Sequence, residues 1–524
     1  MYYIEKINKT LVDPIFPDRM VKVKTQKTSR KNDMRKLMET QLQFGQTDIA
    51  SIELDLECRD EIPQVLAGLQ FIYTNSSLKA AVFNILKQLM PKRVNTKTGR
   101  PGMDLWNILV LGVLRLNCNW NFDKLHDIAN NHKTIRDFLG HGIYDFDKRY
   151  GLQTIKDNVR RLSVQAMDHI SQLVVKAGHQ MFRGSAKQGL KGRCDSFVVE
   201  TNVHYPTDIN LLLDAIRKVI LSIGPLFNEL GITQWRQYRN NFKKIKKQFT
   251  LVNRLKHSTS KDEIKKAQKA QLTVDAHRQY VDLVESYVQR AMDSMTIIKG
   301  MGLDQMQMAR VMVIEKFIGD AKRQMNQIRR RVLEGETIAH HEKVFSIFQE
   351  HTEWISKGKA GVPQELGLAV CILEDEYGFI LHHHVMEHQK DVDIAVDMVA
   401  QAKRKFVCLS ACSFDKGFYS PSNRQDLQPI LDQVVLPKKG RLSVVDKETE
   451  YSDEFIASRR KHAAVESAIN ALENHGLDRC PDYGLHGFKR YAALAILARN
   501  IQILGAILRK KELKRRQREQ KRAA

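Results

Sequence analysis

"CDSFVVETNVHYPTD", residues Cys194–Asp208, decides the fold. Its first half is rich in β-branched and aromatic residues, the composition of a buried strand, and Pro206 ends the run. It also carries three carboxylates: Asp195, Glu200 and Asp208. A strand beginning near Cys194 would place Asp195 close to its start. An acid there is either a solvated edge residue or a ligand for something cationic. Glu200 and Asn202 are odd numbers of residues from Asp195, so strand alternation turns them to the opposite face. His204 and Asp208 fall beyond the expected strand end.

The residues after this strand read as helical from Asp208 to Gly335. Within that block, "WRQYRNNFKKIKKQFTLVNRLK" (Trp235–Lys256) interleaves aromatics with lysine and arginine. Trp235, Tyr238, Phe242 and Phe249 suit a helix core. Arg236, Lys243, Lys244 and Lys247 are candidates for phosphate contact. After about Glu342 the pattern changes. "QELGLAVCILEDEYGFILHHHVME" (Gln364–Glu387) reads as strand, tight turn, strand. A helix over Asp391–Phe406, a strand ending at "SFDKG" and a second strand at "VVLPKK" (Val434–Lys439) follow. One long helix is expected over Ser452–Gly476, with Ser452 as N-cap and Gly476 as C-cap. A final apolar helix spans Gly487–Lys511. The tail "RKKELKRRQREQKRAA" carries nine basic and two acidic residues and is expected to be disordered and in reach of phosphates.

Upstream, "VKVKTQKTSRKNDMRK" (Val21–Lys36) is a basic arm and "PKRVNTKTGRPGMD" (Pro91–Asp104) a loop. Leu105–Gly140 shows helical spacing interrupted by "NWNF", which fits two or three short helices in a helix-turn-helix-like arrangement. The expected organisation is therefore α/β. A helical DNA-binding region spans 1–150, and a linker helix with the first strand spans 151–208. A helical, basic insertion follows at 209–345, then the rest of a mixed-sheet core at 346–508 and a basic tail at 509–524.

The 524 residues carry 84 Lys+Arg against 60 Asp+Glu, a formal charge of +24. That excess favours a polyanionic partner, most simply nucleic acid, whose condensed counterions are released on binding. An anionic membrane is disfavoured, because no lipidation motif or signal peptide is read. The apolar stretch Tyr491–Leu508 is interrupted by Arg499, Asn500 and Gln502 and reads as a core helix. The seven cysteines include no CxxC, which fits a reducing cytoplasm, and a zinc site on Cys408 and Cys412 is not favoured.

Asp195, Asp415 at the end of the "VCLSACSFD" strand, and Glu466 on the "RRKHAAVESAINALE" helix form a candidate constellation. Three acids in one cleft repel and call for a cation. Their oxygens suit Mg²⁺ or Mn²⁺, and two such ions about 4 Å apart would bracket a scissile phosphate. Lys416, Arg459, Arg460 or His462 could position phosphate oxygens. The competing reading is structural: Asp195 at a strand end, Asp415 closing a turn, Glu466 paired with a neighbouring cation. "HHH" (His382–His384) is not favoured as a metal site, because only alternate strand residues share a face.

Five stretches resemble the DDE transposases of bacterial insertion sequences. They are "VVETNVHYPTD" (Val198–Asp208), "HTEWISKGKAG" (His351–Gly361), "ACSFDKGFYSPSN" (Ala411–Asn423), "HAAVESAINALENHGLDRCPDYG" (His462–Gly484) and "GFKRYAALAILARNIQ" (Gly487–Gln502). Leu105–Gly140 is similar to the helical N-terminal domain of such enzymes. The resemblance implies a ribonuclease-H-like sheet with a large helical insertion after the first strand. It implies divalent-metal catalysis by Asp195, Asp415 and Glu466 on double-stranded DNA, meaning terminal inverted repeats and a target. It also implies a homodimer or higher oligomer in the bacterial cytoplasm, at the nucleoid. Asp195 and Asp415 lie 220 positions apart, which the insertion accounts for. "RRKHAAVES" replaces the tyrosine-arginine form of the third motif, so the roles of Arg459 and His462 stay open. A metal-dependent nuclease without strand transfer and an inactive DNA-binding descendant are the alternatives.

Overall fold

A computed structural model describes residues 42, 44–55, 57–90, 102–182, 189–256, 262–356 and 364–523. The basic arm Val21–Lys36 and most of the Pro91–Asp104 loop lie outside them, as does the end of "HTEWISKGKAG".

Among the described residues, seven α-helices precede the sheet: α1 (Glu61–Thr74), α2 (Ser76–Lys87), α3 (Leu105–Asn117), α4 (Phe122–Asn131), α5 (Lys133–Phe138), α6 (Leu152–Val159) and α7 (Val164–Gln180). Short polar side chains start several of them. Asp60 accepts from the Ile62 amide, Asn121 from Lys124 and Ser163 from Ala166, each covering an otherwise orphaned N–H. The "NWNF" interruption is thus the turn into α4, and Asn121 is its cap.

Strand β1 runs Leu190–Thr201, four residues earlier than the sequence suggested, so Asp195 is mid-strand rather than near its start. "LKGR" lacks a strand-like composition, but Leu190 to Cys194 pair with a neighbouring strand and are held by that ladder. The helical insertion follows: α8 (Asp208–Glu229), α9 (Tyr238–Lys256), α10 (Glu263–Lys299) and α11 (Gln305–Ile328). It has its own core of residues from Ile209 to Ile347. Trp235 is fully buried there and donates to Ser294 Oγ at 2.9 Å. Ile245 and Val252 are buried too, and Tyr238, Phe242 and Phe249 pack against the same core.

The remaining strands are β2 (Glu353–Ser356), β3 (Gln364–Asp375), β4 (Ile380–Val385), β5 (Leu409–Phe414), β6 (Gln433–Val435) and β7 (Arg479–Cys480). Between them lie α12 (Asp391–Lys405), α13 (Pro421–Leu427), α14 (Val444–Glu450), α15 (Asp453–His462) and α16 (Ala464–Leu472), and α17 (Gly484–Ala523) ends the described chain. Among the described residues the sheet has seven strands, in the order β2-β3-β1-β5-β6. β4 continues the β2 side of β3, and β7 pairs the far end of β1. β1 is antiparallel to β3 but parallel to β5, and β5 is parallel to β6. The β3–β4 hairpin turns at Gly378, φ +89°. Asp375 accepts the Tyr377 and Phe379 amides and bonds His179 Nε2 at 2.6 Å, tying the turn to α7.

One continuous core joins the sheet, α12, the helices before β1 and the first half of α17. α17 crosses α1, α3 and α7. Where it meets α1 both chains are glycine. A Cβ on Gly505 would stand 1.8 Å from the Gln64 carbonyl oxygen, and one on Gly68 2.2 Å from that of Ile501. Asn500, polar in an apolar run, is fully buried and satisfied. It accepts the Ile380 amide and donates to the Ile380 carbonyl and Ser171. α17 is, among the described residues, the one helix long and apolar enough to cross a membrane, yet 78% of its apolar window is buried within the protein.

Two expectations change here. The Ser452–Gly476 helix is broken at Ala463 into α15 and α16, with neither proline nor glycine to mark the break. Ser452 does cap it, and Gly476 ends it at φ +100°. The tail expected to be disordered continues α17 to Ala523. It holds no glycine or proline, its residues are mostly strong helix formers, and Glu512 pairs with Arg515 and Arg516 at helical spacing.

Candidate active site

The register between β1 and β5 sets the site. Cys194 is level with Phe414 in the last pair of the parallel β1–β5 ladder, and Asp195 and Asp415 are the next residue on each chain, Asp195 still paired with Ile372 of β3. Neighbouring strands stand about 4.8 Å apart, and by alternation both aspartates fall on the face of Arg193 and Ser413, two residues earlier. Asp195 is half-buried, and Asp415 is exposed at the head of the 3-10 turn Lys416–Phe418.

Helices bring the remaining groups. His462, the last residue of α15, places Nδ1 3.0 Å from Ser413 Oγ and so lies over the sheet beside Asp415. The chain turns at Ala463, and α16, which contacts β1, carries Glu466 in its exposed first turn. Asp391, the first residue of α12, approaches from elsewhere. Ser196 Oγ donates to it at 2.6 Å, and Ser196 points away from Asp195 by strand alternation. A Cβ on Gly417 would stand 2.9 Å from Asp391 Oδ2, so the glycine two residues after Asp415 leaves room for this fourth acid.

The electrostatics express this convergence. Burial pushes the Asp195 carboxyl up to about 6, and the charges of Asp415, Asp391 and Glu466 add to the rise. The Ser196 amide, 2.8 Å from Asp195 Oδ1, opposes it. Asp391 is also raised, by burial and by Asp415, against the Ser196 hydrogen bond. Burial pushes His462 down, with Arg193 acting the same way and Asp415 and Glu466 opposing. The three acids singled out in the sequence thus come within electrostatic reach of one another, about the central strands β1 and β5. Among the described residues no three His, Cys, Asp or Glu side chains are closed to ion-holding distance as they stand. The donor set nonetheless suits a hard divalent cation: it is all carboxylate, mutually repelling, with Asp415 and Glu466 exposed and free to turn.

Lys416, Arg459 and Arg460 are exposed beside these acids in the chain. Arg236, Lys243, Lys244 and Lys247 are exposed on the insertion and do not belong to the cluster. The second-choice residues have other partners. Glu200 binds Arg479 at 2.6 Å, Asp208 binds Arg331 at 2.7 Å, and His204 binds Asp214 at 2.6 Å. His382 meets Lys405 while His384 meets Gln389, so the triple histidine splits between separate partners. A cavity of about 690 Å³ lies away from the acids, where the insertion meets the sheet edge, lined among others by Tyr205, His277, Arg331, Lys343 and Trp354.

Asp391 is the residue that sequence reasoning passed over. As the first residue of a helix it has a sufficient local explanation, since an acid there offsets the helix dipole. Only its tertiary neighbours mark it out. Compared with known protein families, curated proteins and solved structures, the chain finds no match.

Proposed function

We propose that this chain is a DDE-type DNA transposase that hydrolyses phosphodiester bonds at transposon ends and joins the freed ends to target DNA. The observation that carries the reading is the placement of Asp195 and Asp415 at the same level of adjacent parallel strands, with Glu466 near enough to raise Asp195. The order β4-β3-β1-β5-β6, an antiparallel hairpin joined to parallel strands, supports a ribonuclease-H-like core interrupted after its first strand by α8–α11. Of the stretches resembling bacterial insertion-sequence transposases, Val198–Asp208 includes the end of β1, Ala411–Asn423 most of β5 with Asp415, and His462–Gly484 α16 with Glu466. The charge of +24 supports a DNA partner.

Asp195, Asp415 and Glu466 would hold Mg²⁺ or Mn²⁺, two ions in all. Such ions activate a water or 3′-hydroxyl nucleophile and neutralise the leaving oxygen. The chain itself supplies positioning. The β1–β5 ladder fixes the first two acids relative to each other, and Ser413 holds His462 over the sheet. Lys416, Arg459 and Arg460 offer cations to phosphate oxygens. Joining two ends to one target calls for two or more copies of the chain on DNA.

The test is a strand-transfer assay with DNA carrying the flanking repeats, a plasmid target and Mg²⁺ or Mn²⁺. Joined products are expected, and Asp195→Asn, Asp415→Asn and Glu466→Gln should each lower them roughly a thousandfold or more. Equal activity in wild type and Asp415→Asn would remove the metal mechanism. Cleavage without joining would make the chain a nuclease, and DNA binding without cleavage an inactive descendant.

A further inference from the structure

The end of α17 is divided by charge. At 100° per residue, Lys510, Lys514, Arg518 and Lys521 fall within one 80° arc, a stripe roughly 16 Å long. Glu512 and Glu519 point the opposite way. They engage Arg515 and Arg516, with Arg515 2.7 Å from both acids and Arg516 3.1 Å from Glu512. The acids of this segment are therefore occupied on its far side. All four stripe residues are exposed, and none forms an ion pair with a described residue. The helix behind them is the core helix itself, so the stripe is a rigid extension of the protein and not a loose arm.

We propose that Lys510, Lys514, Arg518 and Lys521 form a docking surface for the phosphate backbone of duplex DNA. The proposal takes its partner from the transposase reading but requires none of its chemistry. A row of unpaired cations held straight by a helix matches a row of phosphates and reads no sequence. An anionic membrane is the poorer fit. A helix lying on a bilayer needs an apolar face opposite its cations, and here that face carries Glu512 and Glu519.

The experiment uses the full chain with all four residues changed to Gln, which preserves helix propensity, and a short duplex of unrelated sequence titrated over a range of salt. A second variant, Arg515→Gln with Arg516→Gln, removes the cations already engaged by acids. Four lost phosphate contacts should flatten the slope of log affinity against log salt by about 3 to 4 and weaken binding on the order of tenfold or more at moderate salt. The second variant should change the slope by less than half as much. An unchanged slope in the four-residue variant overturns the proposal. So does loss of binding to phosphatidylserine vesicles with duplex binding intact. If strand transfer occurs and the slope is unchanged, the stripe fails while the enzyme reading stands. If the slope falls and no strand transfer occurs, the reverse holds.

Discussion

Asp195 is where the chemistry can be read as a titration. Its carboxyl is held near 6, above the ordinary value of 3.8, by burial and by like charges. Between those two values the folded protein holds more proton than the unfolded chain, so stability falls as pH rises through the window and stays reduced above it. The cost at neutral pH is on the order of 1–3 kcal/mol. Without divalent ions, Asp195→Asn should therefore melt higher than wild type at pH 8 and little differently at pH 4. Mg²⁺ should raise the wild-type melting temperature more at pH 8 than at pH 5, and should leave the double variant Asp195→Asn, Asp415→Asn unmoved. Asp391→Asn should shift the midpoint of that Mg²⁺ response to lower pH, because one repelling charge is gone. A midpoint that stays in place would remove Asp391 from the cluster. Asp195, Asp415 and Glu466 could be singled out because two lie within motif-like stretches and Asp195 lies three residues before one. Asp391 was not, because a helix start explains an aspartate without reference to anything distant.

The crossing of α1 and α17 sets the scale of elements. In most helices Gly→Ala gains up to about 1 kcal/mol. Gly505→Ala should instead cost about 1–3 kcal/mol, since the new methyl would press on the Gln64 carbonyl. Denaturant unfolding gives the sign, and a stabilised variant would show that the helices can part without cost. The elements legible in the sequence were those with a long period or a strong punctuator, such as the β3–β4 hairpin at "EDEYG", α3 to α5 around "NWNF", and α12. β2 and β7 escaped, being four and two residues long and held by the ladder to β3 and β1. The early start of β1 escaped for the same reason, since its first residues are held by the ladder to β5, and the break at Ala463 escaped because no proline or glycine marks it.

Across the whole molecule, the described residues form two cores. The sheet, the helices before it and α17 form one; α8–α11 with the segment to Ile347 form the other. A fragment covering residues 207–348 should therefore fold alone, with helical circular dichroism and a cooperative thermal transition. A broad, non-cooperative loss of signal would show that the second core depends on the first. The division into an insertion and an interrupted sheet was visible in the sequence as a switch from strand-like composition to helical spacing and back to strands. That the helices before β1 share the sheet's core was not visible, because α17, which joins them, lies at the other end of the chain.

That arrangement has a consequence for synthesis. β1 ends at Thr201 and its partner β3 begins at Gln364. A ribosome adding about 5–20 residues per second would leave β1 without that partner for roughly 8–30 s. Throughout that interval Phe197, Val198 and Val199 would be exposed on a nascent chain, beside an insertion able to complete its own core. The site's two aspartates come together later still, when β5 emerges, which makes the pairing of β1 a vulnerable moment for this protein in the cell and a natural point for chaperone assistance.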